Sequence, residues 1–156
     1  MERTRMGPSR ARWVIAAFLV STFWAEIGCT NRITSDRDLV MVDPAEAVKL
    51  VDGQKRLLDL GSNAAGAWVD PRGESQFRAG HIPGAISLPF QNVTADHDKL
   101  KGYDVLIVYG DDYRDPKAEG MSKRLLELGF KDVRTLRGGL QTWADLGHPV
   151  ETGNQG

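Results

Sequence analysis

Between Asp104 and Gly110 the chain runs Val105-Leu106-Ile107-Val108-Tyr109, with no charged side chain and three β-branched residues among the first four. A strand with one face in water alternates apolar and polar residues. A run that is apolar at every position needs cover on both faces, the pattern of a strand inside a parallel sheet packed by helices on either side. The segments around it agree. Asp115-Pro116 supplies an N-cap and a first-turn proline, and a helix is predicted from Pro116 to Leu128, with Met121, Leu125 and Leu128 at i, i+4 and i+7 and Gly129 as the stop. Asp43-Pro44-Ala45-Glu46 opens another helix, predicted to run to about Val51 and end at Gly53. Ala67 to Asp70, Ala85 to Leu88 and Val133 to Leu136 read as strands, Arg56 to Leu60 as a strand or a helix tail, Glu74 to Arg78 as a helical turn, and Leu140 to Leu146 as a closing helix. Strands alternating with helices predict an α/β fold: three layers, a central mainly parallel sheet flanked by helices.

At 156 residues the chain has room for one such domain, and the even balance of 20 Lys+Arg against 21 Asp+Glu leaves no basic field to hold nucleic acid. A single Cys, Cys29, excludes an internal disulfide framework, a cysteine-rich zinc site and a two-thiol redox pair.

That Cys ends a segment of different character. Arg3, Arg5, Arg10 and Arg12 precede an uncharged, mostly apolar run from Trp13 to Ala25, and Gly28-Cys29 follows. A charged start, a short apolar stretch and small residues make an export signal, and the run is shorter than the ~20 residues a membrane-spanning helix needs. The position of Cys29 resembles a bacterial lipoprotein signal, although Glu26 stands where such signals usually carry an apolar residue. The expected organisation is a signal peptide over 1–28, a polar tether over 29–37, a folded domain over 38–152 and a disordered tail over 153–156. It places the protein at the periplasmic side of a bacterial membrane, lipid-anchored at Cys29.

Within the domain, Asp70-Pro71-Arg72, Phe77 and Gly80-His81-Ile82-Pro83-Gly84-Ala85 form one cluster of turn-forming and polar residues. Gly129-Phe130, Arg137-Gly138-Gly139, Trp143 and Gly147-His148-Pro149-Val150 form a second. Gly80 and Gly84 are expected to adopt backbone angles closed to other residues, and Pro83 fixes its own φ, so the loop reverses tightly. Arg72 can fork onto Asp70 or nearby carbonyls. His81 has no nucleophile beside it in sequence and reads as a loop hydrogen-bonding residue, and Trp68 and Trp143 read as packing. The two clusters in this order resemble the signatures of rhodanese-like domains over roughly Leu39 to Glu151.

The resemblance implies a nucleophilic Cys directly after the central strand, in a loop whose backbone N–H groups and following helix N-terminus lower the thiol pKa and hold an anion. Here that position is Gly110, and no Cys occurs after Cys29. The loop itself, Gly110-Asp111-Asp112-Tyr113-Arg114-Asp115-Pro116-Lys117, carries three acids against two bases, which works against holding an anion. The leading expectation is therefore a non-catalytic rhodanese-like module that binds, scaffolds or regulates. It has no cofactor and no metal, and its partner is an unidentified protein or a small anion. Two alternatives remain at this point: an enzyme using Asp111, Asp112 and Asp115 with a divalent metal, and residual sulfur transfer, including donation by Cys29 itself.

Overall fold

A computed structural model describes residues 34–59 and 66–153. Five strands, β1 (Val40–Val42), β2 (Gly66–Asp70), β3 (Ile86–Ser87), β4 (Val105–Val108) and β5 (Asp132–Leu136), form one sheet in the order β1-β5-β4-β2-β3. Every strand pairing is parallel. β4 lies at the centre, with Val105 opposite Gly66 on one side and Asp132 on the other. All four of its residues are buried, as the unbroken apolar run requires.

The run divides its side chains by strand periodicity. Val105, Ile107 and Tyr109 join Val42, Trp68, Leu136 and Trp143 on one face of the sheet. Leu106 and Val108 join Ala67, Val69, Met121, Leu125 and Val133 on the other. The first face is covered by α1 (Pro44–Asp59) and α5 (Gly139–Asp145), with Phe77 of α2 (Glu74–Ala79). The second is covered by α3 (Val93–Asp96) and α4 (Pro116–Glu127). This is the expected three-layer arrangement. Met121 and Leu125 are fully buried, each worth about 1.5–3 kcal/mol by the apolar area it removes from water.

Four sequence expectations are corrected. The helix from Pro44 continues through Gly53 to Asp59, past its expected end, and of the two readings of the Arg56 to Asp59 run the helix tail is the one found. Gly53 costs helix stability without ending a helix that is anchored by Ala47 and Val51 in the core. Leu60 and the Gly-bearing stretch after it up to residue 65 lie outside the described residues. Ala85 to Leu88 yields only a two-residue strand, Ile86–Ser87, extended on β2 by the Leu88 N–H bond to the Asp70 carbonyl. The end of the expected tether is part of the fold: Asp36–Asp38 forms a 3-10 turn, Asp36 pairs with Lys123 of α4, and Thr34 is buried. At the other end, Gly153 of the expected tail donates its N–H to the Arg78 carbonyl at 2.9 Å. The signal segment, Cys29 and residues 154–156 lie outside the described residues.

Candidate functional site

The carboxyl ends of β2 and β4 lie side by side and deliver Asp70 and Gly110 to the same edge of the sheet. Strand ends of open parallel sheets are where such folds place their sites. Asp70 is completely buried, and Arg72, two residues on, is 3% exposed. Arg72 Nε donates to Asp70 Oδ1 at 2.9 Å and its NH2 to Oδ2 at 2.7 Å, a fork on a carboxylate, and its backbone N–H adds a third bond at 2.9 Å. The same NH2 reaches the Gly80 carbonyl at 2.7 Å, and NH1 reaches Asp111 Oδ1 at 2.7 Å. One guanidinium thus ties the strand end, the Gly80 turn and the loop after β4 together. Burial opposes its charge, but bonds to Asp70 and Asp111 outweigh that and hold it above its usual range. Its planar group lies 5.5 Å from the Tyr109 ring centroid. Tyr109 accepts the Ile82 N–H at 3.2 Å, and burial, reinforced by the charge and hydrogen bonding of Asp70, pushes its phenol well up.

Beyond β4 the loop turns inward on itself. An ideal Cβ placed on Gly110 would stand 2.8 Å from Asp115 Oδ2, 2.9 Å from Asp115 Cβ and 3.0 Å from its Cγ. The carboxylate of Asp115 therefore occupies the space that any side chain at position 110 would enter. Its Oδ2 accepts the Asp111 N–H at 3.0 Å and its Oδ1 accepts the Lys117 N–H at 2.9 Å, the latter being the expected N-cap of α4. Asp112 folds back likewise, its Oδ1 accepting the Arg114 N–H at 2.6 Å. Asp111 is held on both oxygens, by Arg72 and by Gln76 Nε2 at 2.6 Å. Tyr113 and Arg114 point outward, Tyr113 being 69% exposed.

The loop is clamped from the far side by the Gly138-Gly139 turn, both residues at positive φ. A Cβ on Gly139 would come within 2.4 Å of the Gly110 carbonyl oxygen, so only glycine lets the turn press this close. At that distance the N–H groups of Leu140 and Gln141, in the first turn of α5, bond the Gly110 and Asp111 carbonyls at 2.9 Å each.

The first cluster is built differently from expectation at one point. Gly84 has a positive φ of 71°, as its turn demands, but Gly80 is extended at φ 174°, which any residue adopts. Its glycine character is steric: a Cβ there would lie 3.2 Å from Val150 Cγ1. His81 is fully buried, donates Nδ1–H to the Phe77 carbonyl at 2.9 Å and stacks on the Phe77 ring with centroids 3.8 Å apart. Its backbone exchanges two 2.9 Å bonds with Glu151, fastening the end of the domain. Trp143 meets Trp68 edge-on at 5.0 Å, stacks on His148 and donates Nε1–H to the Pro149 carbonyl at 2.8 Å. Both tryptophans and His81 therefore act in packing.

The structure brings Asp70, Arg72 and Asp111 into one network and sets Asp115 against Gly110. Sequence reading missed Gln76, which holds Asp111, and the bonds from α5 to the loop. A Gln at the third position of a short helix has a local explanation in its contact with Gly73 N–H, so nothing in the sequence pointed 35 residues ahead. Among the described residues no group of three or more His, Cys, Asp or Glu is placed to hold a metal ion, and Asp111 and Asp115 spend both oxygens on protein donors.

The model of the rhodanese-like domain family matches residues 44–146, well over half of the 156-residue chain. This chain belongs to the rhodanese-like family. A thiosulfate sulfurtransferase of Escherichia coli, YnjE, is 36% identical over 104 residues, covering 56% of this chain and 22% of that protein. The thiosulfate sulfurtransferase GlpE of Pseudoalteromonas translucida is 34% identical over 77 residues, covering 48% of this chain and 70% of its own length. Among solved structures, a thiosulfate sulfurtransferase from Pseudomonas aeruginosa superposes with a TM-score of 0.57 at 25% identity over 79% of this chain and 22% of that one. An uncharacterized protein of Buchnera aphidicola is 28% identical over 107 residues, which is 66% of this chain. The rhodanese-like chain spans 65% of the length of that Buchnera protein and 22% of the E. coli enzyme.

Proposed function

We propose that this rhodanese-like domain is a binding module without sulfurtransferase turnover, exported and held at the membrane surface by lipid on Cys29. The observation that carries the first part is the Asp115 carboxylate packed 2.8 Å from where a Cβ at Gly110 would be. Sulfur transfer in the family's manner needs a thiolate there to attack the outer sulfur of thiosulfate, forming the cysteine persulfide and releasing sulfite. Gly110 offers no sulfur. The N–H groups of Asp111 and Lys117, which would stabilise an anion in that position, already bond Asp115. A second carboxylate of the loop, Asp111, held by Arg72, adds negative charge where thiosulfate carries its own. The lipid anchor rests on the sequence around Cys29 alone.

The test is thiocyanate formation from thiosulfate and cyanide by the full chain and by its Cys29→Ser variant. Neither is expected to exceed the protein-free rate. Turnover that rises with protein concentration and survives Cys29→Ser would overturn the reading of the loop, whereas turnover lost in that variant would move the chemistry to Cys29. The mass of the N-terminal peptide from native membranes tests the anchor, with a diacylglyceryl adduct on Cys29 as the expected result.

A further inference from the structure

Beside the plugged loop, α2 and α5 leave a cleft of about 500 Å³ open to solvent. One wall is apolar: Ala79 from α2, Leu140 and Ala144 one turn apart on α5, and Val150, which is 40% exposed. The rim is acidic, with Asp111 and Asp112 both reaching the opening. The cation at the base, Arg72, is committed to Asp70, Asp111 and the Gly80 carbonyl. Lys117 approaches the edge through Gln76 Oε1 at 3.5 Å. Over the loop and the network it closes, Asp70, Asp111, Asp112 and Asp115 stand against Arg72, Arg114 and Lys117, an excess of one negative charge. Asp112 Oδ1 serves the Arg114 N–H, and Oδ2 makes no hydrogen bond among the described residues.

We infer that this cleft receives an arginine or lysine side chain from a partner protein. The inference rests on the reading of the loop as non-catalytic and adds the chemistry of its ligand. A basic side chain has an aliphatic stem and a cationic head, and it buries the stem while its head seeks charge. The stem lies along Leu140, Ala144 and Val150, and the head meets Asp112 at the rim. A dissolved anion is disfavoured by the same charge excess that favours the cation. A protein is indicated over a free amine by the surroundings: Tyr113 stands exposed against the Gly138 turn before α5, and Leu146, 62% exposed, follows its last turn. Exposed aromatic and aliphatic residues flanking an apolar cleft are the anchors protein interfaces use.

The experiment titrates isotope-labelled full chain with the peptide Ac-Gly-Ala-Arg-Ala-Gly-NH2 and with its Arg→Glu counterpart, following backbone amide shifts. The arginine peptide is expected to shift the amides of Asp111, Asp112, Leu140, Gln141 and Ala144, and the effect should weaken as salt is raised. Asp112→Asn, which keeps the Oδ1 acceptor for Arg114, should weaken binding about tenfold, and Ala144→Glu, which adds charge but fills the wall, should abolish the Leu140 shift. Equal response to the glutamate peptide, shifts confined elsewhere, or no shifts at millimolar peptide would each overturn the inference. Thiocyanate turnover is a separate readout: absent turnover with absent peptide binding removes this inference alone, whereas turnover removes the reading beneath it as well.

Discussion

If the Asp115 carboxylate fills the space at position 110, then Gly110→Ala and Asp115→Gly must depend on each other. The φ of Gly110 is not positive, so alanine is accepted by the backbone and gains about 0.4–1 kcal/mol by restricting the unfolded chain. Against this stands the contact. The new methyl would meet three atoms of Asp115 at 2.8, 2.9 and 3.0 Å. The loop relieves that overlap either by shifting, at about 1–3 kcal/mol, or by turning Asp115 out, which forfeits a helix cap worth about 1 kcal/mol. Turning Asp115 out also gives up its bond from the Asp111 N–H, so the cheaper route costs about 1–2 kcal/mol in all, and subtracting the gain leaves a net loss of about 0–1.6 kcal/mol, with a middle value of about 0.8. Asp115→Gly removes all three atoms, and in that background Gly110→Ala should stabilise. For a domain of this size 1 kcal/mol moves Tm by about 4 °C. The single variant should therefore fall by about 2–4 °C, and the same change in the Asp115→Gly background should rise by about 2–4 °C. Calorimetry or thermal circular dichroism on the four proteins measures the coupling directly. Effects that add to within about 0.5 kcal/mol would show that Asp115 does not occupy the space, and the reading of the loop would lose its main support.

Three further outcomes follow from the same geometry. Asp70→Ala leaves the Arg72 charge buried without its forked partner and should cost about 3–5 kcal/mol, read as a denaturation midpoint far below wild type; a loss under about 1 kcal/mol would mean Asp111 and the Gly80 carbonyl suffice. Gly53→Ala, in a helix where the added methyl meets nothing within 4 Å, should stabilise by about 0.5–1 kcal/mol in urea unfolding. The folded state holds the Tyr109 phenol above its unfolded value of about 10, so its contribution is complete below about pH 10 and is lost as pH rises beyond it. Tyr109→Phe should accordingly flatten the fall of stability between about pH 10 and 12, measured by chemical denaturation at each pH.

The elements set by nearby residues were legible in the sequence. The unbroken apolar run announced β4, and Asp115-Pro116 announced the start of α4, because a strand buried on both faces and a helix cap are decided within a few residues. The Asp70–Arg72 fork was legible for the same reason, its partners being two residues apart. The grip of Arg72 on Asp111 spans 39 residues and exists only because β2 and β4 are sheet neighbours, a fact no local pattern carries. Gly53 was misread as a stop because an intrinsic cost of about 1 kcal/mol was set against no knowledge of what Ala47 and Val51 gain in the core. Gly80 was read as a backbone requirement when its constraint comes from Val150, 70 positions later. The signature that identified the family lies in turns and strand ends, so it survives whatever stands at position 110.

Asp115 also changes the kind of equilibrium at work in the loop. A cradle that waits for a dissolved anion is filled in proportion to solute concentration, and an empty one leaves its amides facing a cleft. Here the occupant is covalently part of the chain, on the residue that caps α4, and its local concentration is the same in dilute buffer as in a crowded solution. The loop consequently needs nothing from solution to hold its shape, and its surface can be presented to a partner at all times.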